Sequence, residues 1–142
     1  EYGLKYWNDP HNNSNDYTRV RVRNTILPTM NEQLGVDIVD KLTTTSFMLQ
    51  EERNFIDKFV DQAYNNSVTS DTINISELAT NDPLIISHVI ARFIKTHAEC
   101  VKKSWVITAQ KLIENYEGNK TIHIKGGQLR TTNRTLTWHP NN

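Results

Sequence analysis

Apolar residues recur at intervals of three and four positions through much of the chain, which places their side chains on one face of an α-helix. The longest run begins at Asp37 and predicts a helix of about 28 residues, with an interruption at residues 43–45 as the alternative. Its apolar face is formed by Ile38, Val39, Leu42, Leu49, Ile56, Phe59, Val60 and Ala63. The opposite face is acidic, which is typical of a helix that packs on a core and turns its charges to solvent.

Two shorter segments, one near the start and one later in the chain, have the same helical period. The first ends at Gly35, a residue that can break a helix. Arginine and valine alternate in residues 19–23, so an exposed strand is the alternative there. The later segment covers residues 105–116 and follows Ser104, a residue type that is favoured at the N-cap.

A further helix is predicted to begin at Pro83, because proline suits the first helical position. Either Asn81 or Asp82 can cap it. Ahead of this helix, Ile73 and Ile75 alternate with polar residues, which indicates a short extended piece.

The hydrophobic period changes to two near the end of the chain. Residues 120–125 alternate around two isoleucines and predict a strand. Residues 129–132 and 135–138 predict a hairpin whose turn is Asn133-Arg134. We therefore predict a mainly α fold, a helical bundle of about four helices with a small C-terminal β-hairpin.

Composition excludes several classes of protein. With 142 residues and a mean hydropathy of −0.60, the chain has no apolar run that approaches the ~18 residues of a membrane span. Its start is neither a signal peptide nor an initiator methionine, so we expect a segment of a longer cytoplasmic protein without a membrane partner. Cys100 is the single cysteine, which excludes an internal disulfide and a cysteine-rich zinc site, and no metal site is predicted.

The formal net charge is zero, yet charge is distributed unevenly along the sequence. Residues 35–82 carry nine acidic and three basic side chains, whereas residues 83–142 carry nine basic and three acidic ones. Such asymmetry indicates either a polyanionic partner for the basic part or two solvated faces that attract each other.

Candidate chemistry begins at the loop of residues 7–16, which is rich in Asn and Asp and contains Pro10. On a helix that follows it, Arg19 and Arg23 are four residues apart and share one face. Each guanidinium can hold two oxygens of a phosphate at once. The alternative is a solvated cationic patch without a ligand.

The residues around this arginine pair resemble the signature of the bacterial tRNA(Ile)-lysidine synthases. The matching residues are Asp9, Pro10, Asn12, Tyr17, Arg19, Arg23, Ile26, Leu27 and Pro28. His11 departs from the family, which usually has Ser or Thr there, and Val20 stands where Asn is usual. The segments that begin at Pro83 and Ser104, and the sequence Lys125-Gly126-Gly127, also resemble the family's middle region.

The resemblance implies an enzyme that uses ATP to adenylate C2 of the wobble cytidine in the CAU anticodon of tRNA(Ile), after which the amine of free lysine displaces AMP. It also implies that residues 1–28 are the C-terminal edge of the ATP-binding catalytic domain, with residues 1–16 an irregular remnant of that α/β domain. Residues 29–142 would form the helical middle domain that contacts tRNA and carries the terminal β-hairpin. The family's Ser-Gly-Gly-x-Asp-Ser pyrophosphate loop does not occur in the sequence. ATP and Mg²⁺ are therefore expected to bind mainly to the missing N-terminal domain, and this segment alone is expected to be inactive.

Specific site residues follow from the resemblance and from the distribution of bases. Arg19 and Arg23 are the predicted catalytic residues, which contact a phosphate or the anticodon loop, and Asp9 and Asn12 are predicted to shape the turn that places them. Four bases of the terminal β segment are predicted to meet the RNA backbone, with ordinary surface solubility as the alternative; they are Lys120, Lys125, Arg130 and Arg134. The expected partners are tRNA(Ile) and lysine, with a homodimer also open. A non-catalytic RNA-binding module and a helical adaptor domain are the alternative functions.

Overall fold

The computed structural model describes residues 17–116 and 118–141 and is mainly α, as predicted. Its helical elements are α1 (Thr18–Arg21), a π-helical turn (Val22–Ile26), α2 (Leu27–Leu34), α3 (Ile38–Ser67), α4 (Ile75–Leu78), α5 (Pro83–His97) and α6 (Lys103–Glu114). Its strands are β1 (Val68–Thr69), β2 (Thr72–Asn74), β3 (Thr121–Ile124), β4 (Gly127–Thr132) and β5 (Thr135–Pro140). No helix within these residues is both long and apolar enough to cross a membrane.

The first segment is helical throughout, so the alternative of an exposed strand is wrong. Pro28 is the second residue of α2, the helix that directly follows the π-helical turn. Proline donates no N–H and its ring crowds the carbonyl four residues before it, which accounts for the widened turn ahead of it. Gly35 ends α2 with a left-handed φ of 65°, as predicted, and its N–H donates to the Asn31 carbonyl at 2.9 Å.

Helix α3 begins where the sequence predicts and continues for 30 residues without the interruption considered at residues 43–45. Asp37 Oδ1 accepts hydrogen bonds from the N–H groups of Val39 at 3.0 Å and Asp40 at 3.1 Å, and so caps the helix. The Asn31 side chain accepts a further bond from the N–H of Ile38 at 2.9 Å.

Of the two predictions of helix N-caps, the one for α5 is confirmed and the one for α6 is wrong. Asp82 caps α5 by accepting from the N–H of Leu84 at 2.8 Å. Ser104 was expected to cap α6 but lies inside it, because the helix begins at Lys103 and Lys102 occupies the N-cap position without a side-chain bond. The apolar face of α5 is buried and consists of Ile86, Val89, Ile90, Phe93 and Ile94.

All five strands form one antiparallel sheet in the order β1-β2-β5-β4-β3. The predicted hairpin is β4 and β5, and both of its turn residues, Asn133 and Arg134, have the positive φ angles of a two-residue primed turn. The sheet is larger than a hairpin because β3 pairs with β4 and the short β1–β2 hairpin adds to β5 through β2.

One face of this sheet packs on helices to form the hydrophobic core. Phe93 of α5, Leu129 of β4 and Leu136 of β5 are fully buried there, and Val60 and Ala63 contribute from the end of α3. These residues all belong to the second of two compact units into which the chain divides at Glu51 and Glu52.

The first unit, described for residues 17–51, has no buried side chain. Val39, Leu42 and Leu49 were expected to face a core, yet they are 48%, 58% and 60% exposed. The expectation that α3 packs along its whole apolar face is therefore wrong except near its end, since none of the described residues covers its beginning.

Candidate nucleic-acid interface

The predicted arginine pair lies on a continuous helical segment that includes a π-helical turn. Arg19 belongs to α1 and Arg23 to the π-helical turn, and both side chains are exposed. Four residues of separation keep them near one face of the helix. Among residues 17–116 and 118–141, no carboxylate forms an ion pair with either arginine. Both guanidinium groups are thus available to an external anion as far as the described residues are concerned.

The two residues predicted to shape the turn before this helix, Asp9 and Asn12, lie outside the described part of the chain. Their proposed role therefore stays a prediction.

Arg21, which the sequence argument did not single out, is held differently from its neighbours. Its guanidinium lies 3.4 Å from the Thr18 hydroxyl, and it lines a cavity of about 370 Å³ with Thr18, Thr25 and Ile26. Residues 18, 21 and 25 recur at three- and four-residue spacing, and this pattern could have indicated a second polar face. Arg21 is two residues from both Arg19 and Arg23, so it points away from the face that they share.

Three of the four predicted C-terminal bases lie at the same end of the sheet. Arg130 is paired across strands with Thr121, Lys120 immediately precedes β3, and Arg134 is in the turn that follows Thr132. All three residues are exposed. The fold thus brings Lys120 to the same end of the sheet as Arg130 and Arg134, which follow it by 10 and 14 residues along the sequence.

Lys125 is placed elsewhere. It lies in the β3–β4 turn, four residues beyond Thr121 and so about 13 Å further along the sheet. Its Nζ atom forms an ion pair with Glu99 Oε2 at 2.8 Å, and both side chains are largely exposed. The structure therefore does not bring Lys125 together with the other three bases.

Three hydrogen bonds hold the base-bearing end of the sheet in position. The buried Thr131 hydroxyl donates to the Gly118 carbonyl at 2.7 Å and accepts from the N–H of Lys120 at 2.8 Å. The Tyr116 hydroxyl accepts from the N–H of Arg134 at 3.2 Å. These contacts fix the backbone of Lys120 on Thr131 of β4 and that of Arg134 on Tyr116, which follows the end of α6.

The sheet face opposite the core is polar and lacks acidic side chains. Strand alternation and register place one row across the sheet at Thr121, Arg130, Thr137 and Thr72, and a second at His123, Gln128 and His139. Every one of these side chains is exposed or half-buried. Hydroxyl, amide and imidazole groups beside a guanidinium can bond the phosphates and sugars of RNA, whereas a carboxylate would repel them.

The described residues supply neither a metal site nor a nucleotide loop. No group of three or more histidine, cysteine or carboxylate side chains within them could hold a metal ion. The sequence also lacks a glycine-rich pyrophosphate loop. The residues present therefore do not fit an ATP–Mg²⁺ site, and their geometry suits contacts with phosphates of a larger polyanion.

Comparisons with known proteins give a consistent result, although no family model matches the chain. A tRNA(Ile)-lysidine synthase of Leifsonia xyli is 29% identical over 97% of the chain, and one of Rhodococcus erythropolis is 26% identical over 89%. One of Mycobacterium leprae is 36% identical over 63%. The chain spans 43%, 39% and 28% of these three relatives, which is less than half of each.

All of these relatives carry the name tRNA(Ile)-lysidine synthase, and the chain is similar to them over 63–97% of its length. The resemblance seen in the sequence is thereby confirmed, and it extends well beyond the residues around the arginine pair.

Proposed function

We propose that the protein containing this chain is an ATP-dependent tRNA(Ile)-lysidine synthase. The observation that carries the proposal is similarity to enzymes of that name over 97% of the chain. In the proposed reaction, ATP adenylates the C2 oxygen of the wobble cytidine in the CAU anticodon and pyrophosphate leaves. The amine of free lysine then forms a bond to C2, AMP departs with that oxygen, and the amine loses a proton.

This segment contributes tRNA contacts and the rim of the active site. ATP and Mg²⁺ bind mainly to an N-terminal domain outside these 142 residues; this part of the proposal is supported by the lack of a pyrophosphate loop in the sequence and of a metal-binding cluster among residues 17–116 and 118–141. Arg19 and Arg23 each present a planar fork of donors, which suits the phosphates of an anticodon loop better than the point charge of lysine would. Lys120, Arg130 and Arg134 hold a second part of the RNA backbone.

The proposed role of the arginine pair can be tested by single substitutions in the intact natural protein. Removing one charge-assisted contact costs on the order of 1.5–3 kcal/mol, which corresponds to about 10- to 150-fold. We expect Arg19→Ala and Arg23→Ala to lower the rate of lysidine formation by that factor while leaving the melting temperature nearly unchanged. The rate is measured as transfer of labelled lysine to tRNA(Ile) that carries the CAU anticodon, with ATP present.

Arg21→Ala is the matched control, because it removes the same charge from the same helical segment. We expect lysidine formation within about twofold of the natural protein, since Arg21 faces Thr18 and not the shared arginine face. A larger loss in Arg21→Ala than in Arg19→Ala would assign the anion contact to the Arg21 side. Lower stability with normal activity per folded molecule would make Arg19 a structural residue.

A non-catalytic RNA-binding module is the second candidate, and the acid-free sheet face around Arg130 favours it. It predicts a natural protein that binds tRNA with a steep salt dependence and forms no lysidine under any conditions. The same lysine-transfer assay with the unmodified protein distinguishes the two candidates.

A further inference from the structure

A cavity of about 490 Å³ lies in the second unit, between the end of α3 and the segment that joins α4 to α5. Its lining includes Phe59 and Asn66 of α3, Glu77 of α4, and Asp82 and Ile85 at the start of α5. Among the described residues, no lysine, arginine or histidine contributes to this lining. We call the cavity the acidic groove, and its charge is opposite to that of the basic end of the sheet.

The hydrogen bonds around the acidic groove leave acceptors on its α4–α5 side. The Thr80 hydroxyl donates to the Glu77 carbonyl at 2.8 Å, and the Asn81 amide nitrogen donates to carbonyls of α4 at 3.1 and 3.4 Å. Asp82 caps α5 with Oδ1 alone, and no cation of the described residues forms an ion pair with Glu77 or Asp82. The lone pairs that remain suit a positively charged ligand that donates hydrogen bonds.

The apolar part of the groove continues along α3 as an exposed aromatic pair. The ring centroids of Phe55 and Phe59 are 5.0 Å apart, and the two residues are 61% and 47% exposed. Buried Ala63 and half-buried Ile85 extend this apolar surface into the cavity. An aromatic ring beside carboxylates suits a lysine or arginine side chain, because the aliphatic stem packs on the ring while the cationic head reaches the oxygen atoms.

The length of this surface indicates a peptide segment as the occupant. Phe55 lies about one helical turn, ~6 Å, from Phe59 along α3. A single cationic side chain inside the cavity therefore leaves Phe55 uncovered, and a neighbouring apolar side chain of the same occupant is needed to cover it. RNA does not fit, because the carboxylates of Glu77 and Asp82 would repel its phosphates.

We propose that the acidic groove, together with Phe55, binds a basic segment of another protein, in which a lysine or arginine stands beside a large apolar residue. Charge complementarity identifies this occupant, since the groove presents two carboxylates without a cation among the described residues. The proposal does not depend on the proposed catalytic function, because neither the arginine pair nor the bases of the sheet take part in it.

Peptide binding to the intact natural protein tests the proposal. The probe is a short fluorescein-labelled peptide in which lysine, leucine and arginine alternate with glycine, and its counterpart carries glutamate at every basic position. Fluorescence anisotropy measures the affinity for both. We expect the basic peptide to bind and the acidic one not to bind. Absence of binding by the basic peptide would overturn the proposal.

Two matched substitutions distinguish the groove from general charge attraction. We expect Glu77→Gln to weaken binding of the basic peptide by about 10-fold or more, the loss of one charge-assisted contact. Glu114→Gln removes the same charge from α6, where the carboxylate accepts from Gln110 at 2.8 Å, and is expected to change the affinity by less than about twofold. Equal weakening by both substitutions would show that net charge alone attracts the peptide and would overturn the proposal.

A third substitution and a competitor test the apolar half of the surface. We expect Phe59→Ser to weaken binding by about fivefold or more, with the retained fold checked by the melting temperature. Unchanged affinity in this variant would overturn the proposal. Nα-acetyl-lysine amide is expected not to displace the peptide at equal concentration. Displacement would show a site for a small amine and would also overturn it.

Discussion

Gly127 is packed so closely against β5 that a side chain of any size collides there. A Cβ atom at this position would lie 2.5 Å from the His139 carbonyl oxygen and 2.5 Å from Cζ2 of Trp138. Gly126 beside it has φ 93° and open space around it. The two adjacent glycines therefore meet different requirements, one for a turn and one for close approach of the Trp138 ring.

At the residue scale, we expect Gly127→Ala to destabilise the protein by about 2–3 kcal/mol, since backbone and a buried indole must both shift. Gly118→Ala is the control for backbone strain without a collision. Gly118 has a φ of 93°, and nothing lies within 4 Å of its added Cβ. The control substitution is expected to cost about 1 kcal/mol from backbone strain alone. Chemical denaturation measures both, and a change at Gly127 of less than about 0.5 kcal/mol would show that the contact with Trp138 contributes nothing.

Helix starts show why elements cannot be delimited from residue type alone. Asp82 and Ser104 are both good N-cap residues and each precedes an apolar periodic run, yet only Asp82 caps a helix. The carbonyl of Lys102 accepts from the N–H of Trp105 at 3.0 Å, and its ammonium lies 5.2 Å from the Trp105 ring centroid. This contact favours a start that precedes Ser104.

At the element scale, Asp82→Ala is expected to cost about 1 kcal/mol, because the N–H of Leu84 loses its partner at the start of α5. Ser104→Ala is expected to change stability by less than about 0.5 kcal/mol, since the Ser104 side chain makes no cap bond. The midpoint of urea unfolding, at unchanged m-value, measures both. A loss at Ser104 as large as that at Asp82 would contradict the observed start of α6.

The acidic middle and the basic end of the sequence meet within the second unit. Asp61 of α3 pairs with Arg92 of α5, whose guanidinium also lies 4.5 Å from the Tyr64 ring centroid. Arg130 forms no ion pair with a carboxylate of the described residues. The interpretation of two faces that attract each other is therefore confirmed in part, by the pair of Asp61 and Arg92. The polyanionic partner stays a prediction, for which Arg130 is available.

At the scale of the whole molecule, the difference between Arg92, which pairs with Asp61, and Arg130, which pairs with no described carboxylate, predicts how the affinity for tRNA responds to salt. In the intact natural protein, Arg130→Ala is expected to weaken binding and to reduce the slope of log affinity against log salt concentration by about one, the loss of one phosphate contact. Arg92→Ala should leave that slope unchanged, because Asp61 already neutralises Arg92. Filter binding or fluorescence titration at several salt concentrations measures both. The reverse result would place the RNA on the α3–α5 side.

Much of the candidate site was predictable from local patterns. The helical spacing of Arg19 and Arg23, the start of α3 at Asp37 and the turn at Asn133-Arg134 all follow from interactions between residues close in sequence. Hydrophobic period, cap chemistry and turn chemistry are local properties, so the sequence alone determines them. The family resemblance is likewise a property of the sequence, and the comparisons confirm it.

Tertiary structure decided what depends on partners far away in the chain. The pairing of β2 with β5 enlarged the sheet. The strand register grouped Lys120, Arg130 and Arg134 at one end of it, whereas Lys125 lies in the β3–β4 turn and forms an ion pair with Glu99. Burial was decided in the same way, because an apolar stripe specifies a face but not whether anything covers it. Leu42 and Val60 occupy the same stripe of α3, yet only Val60 reaches the core, since only the end of the helix meets the sheet and α5.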